Sequence, residues 1–402
     1  MAFQEPGSSG CATEIGPEWG LLLRAVRADP WSSTDKPGAT LVQEGLDWFG
    51  LLRRAERHGV VPLLHRYLVQ ATAGSVPPDF LHQLSDRFDN IARRNLFLTG
   101  ELLKCMDLLG EHGIPAVPFR GPVLAACAYG DFALRQFDDL DVLLHEQHVR
   151  QARDLLVSLG YQPEFQLNRA QEAAFLRSQA HFKVTRDAGL LNVELHWRMA
   201  EDYFSFPLDI QPLWQRLEVV SVAGRDIKTL SAEDLLLTLC VHGAKHLWAR
   251  LQWLSDVARL IDARPEMDWG WVMDRAAALR SERMLYLGLV VASELLGVIL
   301  PQGVLDRMRA DPVVGALARQ VCQWMFTDRS GTLGSLEQVR FHLQARERWQ
   351  DRMRYCIRLA FTTTPGDWDA VHLPSSLFPL YYLLRPVRLF VSYGQSALRR
   401  RA

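Results

Sequence analysis

IPAVPFRGPVLAACAYGDFALRQFDDLDVLLH (residues 114–145), followed about fifty residues later by VELHW (193–197), decides the fold class of this 402-residue chain. Ile114 to Phe119 is short, apolar and rich in β-compatible residues, so it is predicted as a strand. A Gly-containing turn and a small-residue helix, PVLAACAYG, follow. LDVLLH (140–145) is predicted as a second strand, and HVRQARDLLVSLG as a helix ending at Gly160. HFKVTRD and LLNVELHW, joined by Ala188-Gly189, have the alternation of a hairpin. Strands mixed with helices predict an α+β class, a small mixed sheet with helices, over 114–230.

Outward from this segment the periodicity is helical on both sides. DWFGLLRRAERHGVVPLLHRYL and the long run from Pro78 to His112 place apolar residues three and four apart, with Gly113 as a stop. Residues 17–113 therefore form an N-terminal helical region, and 1–16, rich in Gly, Ser, Glu and Pro, a tail without order. Helical spacing returns at SAEDLLLTLCVHGAKHLWARLQWL, where Ser231 with Asp234 is a helix start. The region 231–402 is helical, with breaks at Pro265, Pro301, Pro312 and the TTTPGD turn.

The chemistry sits on the strands. Residues two apart on a strand share a face, so Asp139 and Asp141 present paired carboxylates, whereas Asp138 points away. Glu194 lies in an apolar strand where an acid is costly. If that strand neighbours LDVLLH, Glu194 completes a three-acid cluster. Crowded carboxylates raise one another's pKa unless a cation joins them, and hard oxygen donors suit Mg²⁺ or Mn²⁺. Asp139, Asp141 and Glu194 are thus the candidate metal and catalytic residues. Arg120 and Gly121, between the first strand and a helix opened by Pro122, are candidates for phosphate contact. Arg135, four residues before Asp139, either contacts phosphate as well or fixes the intervening loop. His196 shares a face with Glu194 and is an accessory candidate, either hydrogen-bonded to an acid or packed beside Trp197.

Composition narrows the alternatives. Lys and Arg number 45 against 46 Asp and Glu, so no bulk cationic field marks a nucleic-acid binder. Six widely spaced cysteines without a CxxC pair suggest reduced thiols in a cytoplasmic protein, and MAFQEPGSSGCATEIG lacks the features of a secretory signal. Leu285–Leu300 is interrupted by Glu294, and Leu377–Tyr393 carries Arg385, Pro386 and Arg388. Both argue against a membrane span, and membrane contact is not expected.

The run Arg120-Gly121, Tyr129, Arg135, Asp139-Leu140-Asp141 and Glu194-Leu195-His196-Trp197 resembles the uncharacterised bacterial nucleotidyltransferases of the polymerase-β-like superfamily. HGAKHLWARLQWLSDVARLI is similar to that family's helical portion. The resemblance implies metal-dependent transfer of a nucleoside monophosphate from a nucleoside triphosphate to an acceptor that the sequence does not identify. Two positions depart from the pattern. Gly121-Pro122 replaces the superfamily's Gly-Ser or Gly-Gly, and Arg120 stands where the closer family has Lys.

Those departures keep a second expectation open, a degenerate nucleotide-binding or scaffold protein. A third is a metal-dependent hydrolase built on His242 and His246, four apart on a helix, with Asp256 on the next segment. There is no adjacent His-Asp pair, and both histidines align with Leu235 and Leu239, so core packing is the simpler expectation for them.

Overall fold

The computed structural model describes residues 15–27, 45–71, 76–204, 206–327 and 333–399. The expected N-terminal tail lies outside these residues except for Ile15 and Gly16. Four helices come first: α1 (Pro17–Val26), α2 (Trp48–His58), α3 (Val61–Ala71) and α4 (Pro78–Glu111). Asp47 caps α2 by accepting a hydrogen bond from the Gly50 amide at 2.8 Å. Pro78 at its first position opens α4, whose 34 residues span roughly 50 Å. Gly113, at φ +67°, turns the chain out of it.

The middle of the chain builds a five-stranded mixed sheet in the order β1-β2-β5-β4-β3. Its strands are β1 (Ala116–Pro118), β2 (Leu140–Leu144), β3 (Gln162–Pro163), β4 (His181–Arg186) and β5 (Leu191–His196). β2 runs parallel to β5, and the other neighbours are antiparallel. Between them lie α5 (Pro122–Leu124), which runs into a π-helical turn (Ala125–Tyr129), α6 (Val149–Ser158) and α7 (Arg169–Ser178). After α8 (Gln211–Trp214), β6 (Glu218–Val222) and β7 (Arg225–Thr229) form a separate hairpin around Ala223-Gly224.

Alternation along the strands gives the sheet two different faces. Leu140, Val142, Leu144, Val184, Val193 and Leu195 join an apolar cluster with α6 and α7. Val117, Phe119 and Leu143 join a second cluster made mostly of helices. Asp141, Glu194 and His196 fall on this second face by the period of two.

Among the described residues ten helices follow: α9 (Ala232–Lys245), α10 (Leu251–Asp262), α11 (Trp269–Ala278), α12 (Glu282–Leu296), α13 (Gln302–Ala310), α14 (Pro312–Phe326), α15 (Ser335–Gln344), α16 (Trp349–Phe361), α17 (Pro365–Ala370) and α18 (Tyr381–Arg399). Ser231 caps α9, its hydroxyl accepting from the Asp234 amide at 3.3 Å. Proline punctuates the rest: Pro265 follows α10, Pro301 precedes α13, and Pro312 and Pro365 open α14 and α17. The helical cluster unites α1–α4 with helices after residue 231. Trp19 meets Phe326 edge-on at 5.1 Å, and His58 accepts from the Leu251 amide at 3.2 Å.

The architecture is therefore α+β, a mixed sheet within a mostly helical chain, as the sequence predicts. The apolar stretch 285–300 contains most of α12, which lies inside the helical cluster. In α18, Arg385 and Arg388 both reach Asp367, at 2.7 and 2.6 Å. Among the described residues no helix is long and apolar enough to cross a membrane. Cys105, Cys127, Cys240 and Cys356 are free thiols, whereas Cys322 is disulfide-bonded and departs from the expectation of reduced cysteines.

Candidate functional site

The sheet register brings the acids together. Asp141 is directly opposite Glu194 in the parallel β2–β5 pair, so their side chains leave the same face. Asp139 sits immediately before β2, on the same side as Asp141. All five residues of β2 are buried, so Asp141 is a carboxylate in the middle of a central strand. Such a position costs free energy unless partners satisfy it. Arg120, just after β1, donates from Nη2 to Asp141 Oδ1 at 2.7 Å and from Nη1 to His242 Nδ1 at 2.9 Å. Its guanidinium also lies 5.1 Å from the Phe119 ring centre.

Gly121 makes this packing possible. Its backbone has φ +58° and ψ −126°, and an added Cβ would come within 3.1 Å of the Asp139 carbonyl oxygen. Gly121→Ala is therefore expected to cost about 1–3 kcal/mol through backbone strain and displacement of the Asp139 loop. Urea denaturation would measure this, and an unchanged midpoint would remove the close-approach argument.

His196 supplies the second hydrogen-bond donor to Asp141. Its Nε2 donates to Asp141 Oδ1 at 2.9 Å and approaches Glu194 Oε2 at 3.3 Å, with its ring edge-on to Phe119. Burial alone would push Asp141 up. The Arg120 charge and the His196 hydrogen bond outweigh it and hold Asp141 below the usual carboxylate range. Glu194 is likewise held low against burial, by the His196 hydrogen bond and the charge of His181. His196 is raised, because its bonds to the two acids exceed its desolvation. Asp139 goes the other way. Burial, then the neighbouring Asp141 charge, push it up to about 6. Among the described residues nothing hydrogen-bonds or ion-pairs with the Asp139 carboxylate.

Arg135 and Asp256 form a different unit. The guanidinium binds both carboxylate oxygens, Nε to Oδ1 at 2.8 Å and Nη2 to Oδ2 at 2.9 Å, with both side chains buried. The Tyr129 hydroxyl donates to the same Oδ1 at 2.7 Å. Of the two roles the sequence allows Arg135, this one fixes the loop before Asp139. Asn95 helps, donating from Nδ2 to the carbonyls of Phe132 and Arg135 at 2.7 and 2.8 Å. Asp138 points outward and pairs with Arg94 at 3.3 Å.

His242 and His246 line the same cavity, their ring centres 4.6 Å apart, both beside Trp253. Burial, then the Arg120 charge, push His242 well below its ordinary value, and burial with Lys245 lowers His246 to about 3. Both are neutral at physiological pH. Asp256 is held by Arg135 and Tyr129, so the three do not form a ligand set.

Among the cavity residues not singled out from the sequence are His181, Glu201 and Lys245. Lys245 pairs with Glu201 at 2.6 Å. His181 lies opposite His196 in the β4–β5 hairpin. Its position was inferable, because a hairpin centred on Ala188-Gly189 pairs residue 181 with residue 196. Lys245 and Glu201 meet only through the docking of α9, for which the sequence carries no signal. Together these groups enclose a cavity of about 370 Å³ between the sheet and α9–α10, walled by Arg120, Asp139, Asp141, Glu194, Lys245 and Trp253. Acids on rigid strands facing cationic donors across a concave site form an arrangement suited to a polyanion and a divalent cation together.

Residues 44–297 match the family model described as "Uncharacterised nucleotidyltransferase". No curated protein matches the chain. Among solved structures it is similar to the antibiotic-resistance factor ANT(2'')-Ia, with 15% identity and a TM-score of 0.34, covering 46% of this chain and 93% of that one. It is also similar to an antigenic nucleotidyltransferase-like protein from Paracoccidioides brasiliensis, with 18% identity and a TM-score of 0.31, covering 53% of this chain and 96% of that one.

Proposed function

The chain belongs to the family of uncharacterised nucleotidyltransferases, and from that premise we propose that its cavity transfers a nucleoside monophosphate from a nucleoside triphosphate to a hydroxyl-type acceptor, with Mg²⁺ or Mn²⁺. The observation that carries this reading is the parallel register of Asp141 with Glu194, with Asp139 alongside. The acids fit a hard cation. Asp139, raised to about 6 and without a partner among the described residues, is the group such an ion would satisfy. Asp139, Asp141 and Glu194 would hold it. When bound, a divalent ion neutralises phosphate charge and stabilises the leaving pyrophosphate.

The protein's own groups account for the rest. Arg120 offers charge-assisted donors to the triphosphate at the cavity wall, and Gly121 lets the backbone come close. Glu194, at the cavity surface, is the base that accepts the acceptor's proton. His196 holds the Asp141 and Glu194 carboxylates in fixed relation. Arg135, anchored by Asp256, positions the loop that carries Asp139 and lowers the cost of its charge. The acceptor is a small molecule, a sugar or a protein side chain.

A second reading, nucleotide binding without turnover, draws on one observation: Arg120 is already engaged by Asp141 and His242. The test is to incubate the protein with each nucleoside triphosphate and Mg²⁺ or Mn²⁺, and to follow both thermal stability and pyrophosphate release. Metal-dependent stabilisation by a triphosphate with pyrophosphate release is expected. Stabilisation without release under any acceptor would favour the second reading, and neither effect would remove both.

A further inference from the structure

β4 and β5 carry a constellation that overlaps the carboxylate site only in part, sharing Glu194 and His196 with it. Glu194 and His196 are two apart on β5 and share a face, and His181 stands directly across from His196 on β4. Cross-strand neighbours and residues two apart are the closest side chains that a sheet offers. The result is one oxygen and two nitrogens facing a common point: His196 Nε2 lies 3.3 Å and His181 Nε2 3.6 Å from Glu194 Oε2. All three ligand atoms fall within 4.8 Å of one another.

His196 Nε2–H bonds Asp141 and Glu194 here, and a cation held at this point would take the place of that proton. The His181 contact is beyond the range of a hydrogen bond. Donors about 2.0–2.2 Å from one ion stand roughly 3.0–3.5 Å from each other, close to the spacing present here. His196 is fully enclosed, whereas His181 and Glu194 open onto the cavity, leaving positions for water or a substrate oxygen.

We propose that His181, Glu194 and His196 form a second cation site, selective for a borderline divalent ion such as Zn²⁺ or Co²⁺ over Mg²⁺. Imidazole nitrogen suits those ions, whereas Mg²⁺ demands oxygen donors and dehydrates reluctantly. Asp139 and Asp141 offer only oxygen, so the cavity has two unlike halves with Glu194 between them. The assignment rests on the proposed metal-dependent site to the extent that it shares Glu194 with it.

Cobalt reports on this site directly, because nitrogen-ligated Co²⁺ absorbs in the visible. Metal-free full-length protein is titrated with Co²⁺ in the absence of nucleotide. One equivalent is expected to bind with visible bands, to be displaced by Zn²⁺, and to survive a large excess of Mg²⁺. His181→Ala, at a partly exposed position that tolerates truncation, is expected to weaken Co²⁺ at least roughly tenfold, since even outer-shell partners of metal ligands are worth that much. Asp139→Asn is expected to leave the Co²⁺ bands in place. Absence of bound Co²⁺, displacement by Mg²⁺, or unchanged affinity in His181→Ala would each overturn the assignment. If Mg²⁺-dependent pyrophosphate release persists in that event, only the nitrogen site falls. Co²⁺ binding without any nucleotidyl transfer leaves this site standing and removes the transferase reading.

Discussion

Asp139→Asn is expected to abolish nucleotidyl transfer while making the metal-free protein more stable at pH 8, by about 2–3 kcal/mol. The reason is the proton. Asp139 has a folded-state value of about 6 against an ordinary 3.8, so the folded protein holds that proton more tightly than the unfolded chain. The group favours folding below pH 3.8, and this contribution is lost as pH rises through about 6. Above that, the charge sits beside Asp141 at a cost of about 2–3 kcal/mol, which Asn does not carry. The stability difference between wild type and Asp139→Asn should therefore shrink toward zero near pH 4. Asp141→Asn should abolish transfer as well, yet lower stability. Its carboxylate is held low by Arg120 and His196, and its contribution persists at every pH above about 4. Removing its charge leaves the Arg120 guanidinium without its acid and His196 with Glu194 alone, at about 2–4 kcal/mol. Loss of an acid proposed to hold the metal should cost on the order of a thousandfold in rate in both variants. Urea midpoints in chelator at pH 5 and pH 8, with pyrophosphate release alongside, separate the two aspartates. If both variants shift stability in the same direction at pH 8, the electrostatic account of the pair is wrong.

The largest loss of stability is expected from Asp256→Ala, about 3–5 kcal/mol. Asp256 is fully buried, holds both arms of Arg135 and accepts the Tyr129 hydroxyl. Truncating it strands a guanidinium and a phenol in the interior at once. A paired change, Arg135→Met with Asp256→Leu, removes the orphaned charge and should recover much of the loss, since apolar replacements of buried pairs are often close to neutral in stability. The same double variant should still be impaired in transfer, because the loop carrying Asp139 loses its anchor. Chemical denaturation of the single and double variants tests this, and a cost below about 1 kcal/mol for Asp256→Ala would show that the pair is not structural.

Much of this is legible in the sequence where the signals are local. The strand period alone placed Asp139 and Asp141 on one side and Asp138 on the other. Helix ends at Gly113, Ser231 and Pro312 followed from cap and proline chemistry, because those signals are local. That β5 borders β2 was a condition rather than a reading, since strand order depends on how helices pack over the sheet. The same limit hid the partner of Arg135: Asp256 lies 121 positions away, on a helix whose docking no local pattern encodes. The β6–β7 hairpin around Ala223-Gly224 was missed although its turn residues were present. Its strands have only five residues each, and half of these are exposed.

One cluster of apolar side chains joins the first helices to those after residue 231, and this has a consequence in time. A ribosome makes Trp19 about three hundred residues before Phe326, the ring it rests against. At about 5–20 residues per second, α1 waits roughly 15–60 s for that partner. Throughout that interval α1 has α2 and α3, the next helices made, to pack on, while Trp19 lacks its partner ring. That last contact is therefore made only late in synthesis, and slower translation postpones it further.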